Sequence, residues 1–256
     1  RDGVKVLLDS EVNRVEHRGG DKVLILRTGH GTEEVLADAI LVAAGRAPNV
    51  DSLSLEQAGV NYDSQEGVKV DDRLRTANPR IFAAGDVCSR FRFTHAADAM
   101  ARIVIRNALF RGRARMSRLV IPHCTYTDPE VAHVGLTERE ARDKNIPHRV
   151  FAEEMSRVDR AVLDGEERGF AKLIVHPKRD AILGATIVAA HAGEMIPEIV
   201  LAMTAGLGLK TLAQTIRPYP TQSEAMKKLA DGFNRTRLTP TVKWLCGKWL
   251  AWSRGS

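Results

Sequence analysis

Residues 79–102 read PRIFAAGDVCSRFRFTHAADAMAR. A short apolar run, Ile81 to Ala84, stops at Gly85-Asp86, and a Thr-His pair then opens an alanine-rich helix. The run is too short for a helix and suits a buried strand. A carboxylate at a strand end and a helix N-terminus close behind it are two polar devices aimed at one place. Together they point to a ligand, because the helix opening offers unpaired N–H groups and the positive end of its dipole. Taken singly, each has a plainer explanation: Asp86 caps a turn and Thr94 caps a helix.

The surrounding chain places this stretch. Residues 3–27 alternate apolar and polar around Gly19-Gly20, which predicts strand–turn–strand. An edge-like strand follows, then Ala39–Ala44, expected as a strand buried on both faces as in a helix-covered parallel sheet. Gly45-Arg46-Ala47-Pro48-Asn49 breaks it. After the helix from about Thr94 to Arg111, the basic stretch RGRARMSR (111–118) reads as an exposed connection and so as a boundary. Beyond it come a turn, a short strand and a helix with the capping-box pair Thr137 and Glu140. A hairpin over 170–190 and helices ending near Gly206, starting near Thr211 and running from Ser223 to Phe233 complete an α+β pattern.

The bulk numbers narrow the class. With 256 residues, 44% apolar and 27% charged, the chain has a globular composition. No apolar run reaches the roughly 18 residues of a membrane span. The net charge of +6 reads as a solvated basic surface, and no nucleic-acid partner is expected. Cys88, Cys124 and Cys246 form no CxxC and no zinc spacing, which fits a reducing, cytoplasmic setting. His123, Cys124 and His133 match no metal-ligand pattern, so no metal is assigned and they are read as strand residues.

Four ordered stretches carry a resemblance. LVAAGRAPN (41–49), TANPRIFAAGDV (76–87), YTDPEVAHVGLTEREA (126–141) and PYPTQSEAMKKLAD (218–231) are similar, in this order, to motifs of the FAD-dependent pyridine nucleotide–disulfide oxidoreductases. Those motifs close the NAD domain, form the second flavin motif, and begin and end the dimerisation domain. The resemblance implies an incomplete α/β FAD/NAD(P)-binding portion over 1–115, followed by an α+β dimerisation domain over 116–256. It also implies hydride transfer from NAD(P)H through FAD to a disulfide or metal-thiolate acceptor, in a homodimer. Gly85 and Asp86 would meet the ribityl chain, and the backbone of Thr94, His95 and Ala96 the flavin edge. Gly45 and Arg46 would lie near the nicotinamide, with Arg46 equally readable as a solvated turn residue.

The family's GxGxxG loop and CxxxxC redox pair are absent from 1–256. Both would lie upstream, so the chain is expected to be part of a longer polypeptide. A flavin-free, non-catalytic dimerisation module is the alternative. In the lipoamide and glutathione branches a His and a Glu of the last motif form a proton-transfer dyad. Here Glu224 matches, while Tyr219 occupies the histidine position. A phenol with an ordinary pKa of about 10 is no base near neutrality. Pro-Tyr resembles the mercuric reductase branch, but that branch ends in adjacent cysteines, and here Cys246 stands alone. The plainer roles are an interface aromatic for Tyr219 and a helix-terminal charge for Glu224. All three tryptophans lie in the tail, where Val242, Leu245, Trp249 and Trp252 would share one helical face. That composition suits a membrane surface, and packing against the partner subunit is the preferred account.

Overall fold

The computed structural model describes residues 3–255 and resolves a first unit ending at Arg46 and a second beginning at Ala47. The first unit is an antiparallel sheet of β1 (Glu11–Arg18), β2 (Asp21–Thr28) and β3 (Gly31–Ala37), in the order β1-β2-β3. Gly19 and Gly20 both take positive φ, 61° and 100°, which lets the β1–β2 connection turn in two residues. The central strand buries Val23, Ile25 and Leu26.

Three expectations need correction in or near the extended runs. The first strand starts at Glu11, and residues 3–8 pair with nothing regular. Ala39–Ala44 is not a buried strand: Leu41 is 91% exposed and Val42 83%, and no strand pairs with either side. Ile81–Ala84 is half-buried, with one bridge, Arg75 to Phe82, in place of a ladder. Short apolar segments become strands only when a neighbouring strand takes their N–H and C=O groups, and among the described residues none flanks these two.

The second unit begins with a small ladder of β4 (Tyr62–Asp63) and β5 (Gly67–Val68), closed around Val50, Val60 and Val68. Helix α1 (Thr94–Phe110) buries Ala96, Met100 and Ile103, which pack with Leu74. The basic 111–118 segment is irregular, as expected, yet it is pinned. Asn107 holds Ala114 in both directions at 2.9 Å, and Asp72 accepts from Ser117 N at 2.7 Å.

The larger layer is an antiparallel sheet of β6 (His123–Thr125), β7 (Glu130–Gly135), β8 (Arg149–Glu154), β9 (Phe170–Val175) and β10 (Ile182–Ala189). Its order is β6-β7-β10-β9-β8, with the β9–β10 hairpin at its centre. Between strands stand α2 (Glu138–Asp143) and α3 (Asp159–Leu163), and α2 carries the complete Thr137–Glu140 capping box. Helices α4 (Ala192–Thr204), α5 (Leu209–Gln214) and α6 (Glu224–Thr236) supply the other half of the core. Alternate strand residues Ala171, Leu173 and Val175, and Ala185, Ile187 and Ala189, meet Ile199, Met226, Leu229 and Phe233. Each fully buried aliphatic side chain contributes about 1.5–3 kcal/mol relative to exposure. A last helix, α7 (Pro240–Ser253), buries none of its residues.

Candidate functional site

The Gly-Asp turn is built by backbone geometry. Ala84 is extended, Gly85 turns to φ +80°, and residues Gly85–Val87 form one 3-10 turn closed by Cys88 N donating to Gly85 O at 3.1 Å. Gly85 N points at Met100 Sδ, 3.3 Å away, and a β-carbon on Gly85 would stand 3.0 Å from that of Ala97. The turn therefore rests directly on α1, and Asp86 is carried at the surface beside it. Cys88 lies under the same turn, where burial pushes its thiol up to about 11.

Helix α1 opens without a cap. Phe93 holds the N-cap position, no side chain takes its place as acceptor, and no acidic residue stands in the first turn. Thr94 is thus the first helical residue and not the cap, and it is exposed, as is His95, while Ala96 is buried. An uncapped opening leaves N–H donors and positive potential for an anion. The His95 side chain is committed elsewhere. Its Nε2–H donates to Pro122 O at 2.8 Å, and its ring stacks on Phe93 at 5.4 Å. Phe93 stacks in turn on His123 at 5.8 Å, and His123 tilts against His133 at 5.3 Å. Burial, and then repulsion from His133 and His95, hold the His123 imidazole below its ordinary value. His133 bonds Thr186 Oγ1 at 2.9 Å and Gly135 O at 3.1 Å, so it serves the sheet. No cluster of three or more metal-ligating side chains occurs among the described residues.

The fit to a flavin can be tested on these observations. A glycine whose Cβ would foul the helix, a surface carboxylate and an uncapped helix opening supply acceptor, donors and close approach. Gly85 meets α1 at Ala97 and Met100, in the first two turns of the helix that Thr94, His95 and Ala96 open. Gly45 (φ +115°) and Arg46 close the first unit and are exposed.

The closing motif runs from the loop after α5 into α6. Tyr219 is 71% exposed, and its hydroxyl donates to Asp159 Oδ2 at 2.6 Å. That bond, the Asp159 charge and more weakly Glu224 hold the phenol above its ordinary value. Glu224 is the first residue of α6, with Oε1 3.5 Å from Lys228 Nζ, and its Oε2 is buried with no hydrogen-bond partner among the described residues. Just upstream, the Arg217 side chain is 7% exposed and forms an ion pair with Glu198. A groove of about 440 Å³ runs past Pro220, Gln222 and Ser223 to His191, Glu194 and Glu198. Asp159 and Glu198 were not foreseeable: no local pattern links them to a motif 60 or 19 residues away.

The comparisons with known proteins cover nearly the same ground. Residues 1–101 match the pyridine nucleotide-disulphide oxidoreductase family, and residues 121–230 match its dimerisation domain. A mercuric reductase of Streptomyces lividans is 37% identical over 221 residues, 86% of this chain and 47% of that protein. A dihydrolipoyl dehydrogenase of Thermus scotoductus is 33% identical over 237 residues, 92% of this chain and 51% of that protein. Among solved structures, LpdA of Mycobacterium tuberculosis superposes with a TM-score of 0.83 at 25% identity, over 90% of this chain and 50% of that one. The HOCl-induced flavoprotein disulfide reductase RclA of Escherichia coli gives 0.76 at 30% identity, over 86% of this chain and 50% of that one. The chain thus spans about half the length of the relatives it matches. With both domain types matched in order and relatives of one kind along nearly all of its length, the chain belongs to the pyridine nucleotide-disulphide oxidoreductases.

Proposed function

We propose that this chain serves an FAD-dependent oxidoreductase that passes hydride from NAD(P)H to a disulfide or metal-thiolate acceptor, as a homodimer in the cytoplasm. Residues 1–115 carry its part of the cofactor sites, and residues 116–256 the dimerisation domain. The observation that carries this reading is the Gly85–Asp86 turn seated against the uncapped opening of α1. Bound FAD supplies the two-electron chemistry between nicotinamide and acceptor. Asp86 accepts hydrogen bonds from the hydroxyls of the cofactor's chain, with Gly85 admitting the close approach. The backbone N–H groups of Thr94, His95 and Ala96 hold negative charge at the helix mouth. Because the His95 ring is tied to Pro122, that residue contributes its backbone alone. Gly45 and Arg46 border the nicotinamide.

Tyr219 and Glu224 face the acceptor across the dimer. With its phenol held above the ordinary value, Tyr219 stays neutral near pH 7 and offers no base. This favours an acceptor that needs positioning over one that needs a proton removed, which is the mercuric-reductase-like side of the family. Protein purified from its native host should show the blue-region absorption of flavin. Asp86→Ala should weaken FAD affinity about tenfold or more, the worth of one charged hydrogen bond. Equal flavin content in the variant would overturn the Asp86 assignment. A colourless dimer would favour a flavin-free dimerising module.

A further inference from the structure

Helix α7 is well built and uncovered. Thr239 caps it, accepting from Val242 N, and Pro240 fills the first turn, where a missing N–H costs nothing. All three tryptophans of the chain, Trp244, Trp249 and Trp252, sit on it. At about 100° per residue, Val242, Leu245, Trp249 and Trp252 fall on one face, with Lys248 on one flank and Lys243 toward the opposite side. Trp249 is 63% exposed and Leu245 54%, and no α7 residue is buried.

Two observations choose among the possible covers. From Gly232 to Ser256 the chain carries Arg235, Arg237, Lys243, Lys248 and Arg254, with no Asp or Glu. The dimerisation-domain match also ends at residue 230, before α7 begins. Pairing two such helices from two copies would bring like charges together with no carboxylate on either to meet them. We propose that α7 lies on an anionic membrane surface, its Leu245, Trp249 and Trp252 face in the interface, with Lys248 at the lipid phosphates and Arg235, Arg237 and Arg254 adding positive charge at either end of the helix. At roughly 1.5 Å per residue its 14 residues reach about 21 Å, short of the ~30 Å hydrocarbon core, so it rides on the bilayer. Lys248, whose ammonium lies 5.1 Å from the Trp244 ring, sits where a snorkelling side chain would.

The tryptophans are their own reporters. The full chain should co-sediment with vesicles of phosphatidylcholine containing about one third phosphatidylglycerol, with a blue shift of its emission. Binding to pure phosphatidylcholine should be about tenfold weaker, and salt should lower it. Leu245→Glu with Trp249→Glu, on an exposed face where folding is undisturbed, should abolish sedimentation. Lys243→Glu with Lys248→Glu should weaken it on anionic vesicles only. Sedimentation that survives the first pair, or no shift with either lipid, would overturn the proposal. So would a shift that follows protein concentration without lipid, which would assign the face to a second copy.

Discussion

Replacing Gly85 by alanine tests the turn that carries Asp86. Gly85 sits at φ +80°, where an L-residue pays about 1–2 kcal/mol. The new β-carbon would stand 3.0 Å from that of Ala97. Ala97 belongs to a helix packed through Ala96 and Met100, so relief takes a shift of a few tenths of an ångström in a packed layer. Overpacking of this kind costs about 1 kcal/mol at its mild end. The sum, about 2–3 kcal/mol, corresponds to a melting temperature lower by roughly 4–12 °C for a unit of this size. A double-mutant cycle with Ala97→Gly separates the two parts, read by circular-dichroism melts. The second change alone costs about 1 kcal/mol of helix propensity. In the Gly85→Ala background it should cost nearly nothing, because it removes the colliding methyl. A Gly85→Ala protein melting within about 1 °C of the parent would refute the backbone argument. Strict additivity in the cycle would refute the contact with α1.

Three further outcomes follow from other parts of the second unit. Arg217→Ala strands Glu198 and takes the guanidinium donor, 3.0 Å away, from the carbonyls of Thr215 and Leu212, the latter keeping only the Thr215 N–H at 3.3 Å, so it should cost about 3 kcal/mol by chemical denaturation. In spectrophotometric titration, Tyr219 should ionise above the ordinary tyrosine range, and Asp159→Asn should bring it down. Since its folded value is raised, this phenol's contribution to stability is complete below the unfolded value and fades as pH rises through the folded one; Tyr219→Phe should flatten that alkaline loss. Maleimide at pH 8 should label the exposed Cys246 first, and Cys88 slowest, its thiol being held protonated by burial. Faster labelling of Cys88 would contradict its placement under the Gly85 turn.

Elements that close on themselves locally were legible in the sequence. The Gly19-Gly20 hairpin, the Thr137–Glu140 capping box, the 170–190 hairpin and the helices from Thr94 and Glu224 form from contacts a few residues apart, and each stands where periodicity and punctuation put it. What the sequence by itself could not decide was whether Ala39–Ala44 and Ile81–Ala84 are strands, because a strand is defined by the partner that pairs with it. It could likewise suggest that Asp86 and the α1 opening converge, but the contact of Gly85 with Ala97 and Met100 exists only once the helix is packed. The hydroxyl of Tyr219 found Asp159, and the ring of His95 found Pro122, across 60 and 27 residues of intervening chain. Such bonds depend on how separate elements stack, and no local pattern of residue types encodes that.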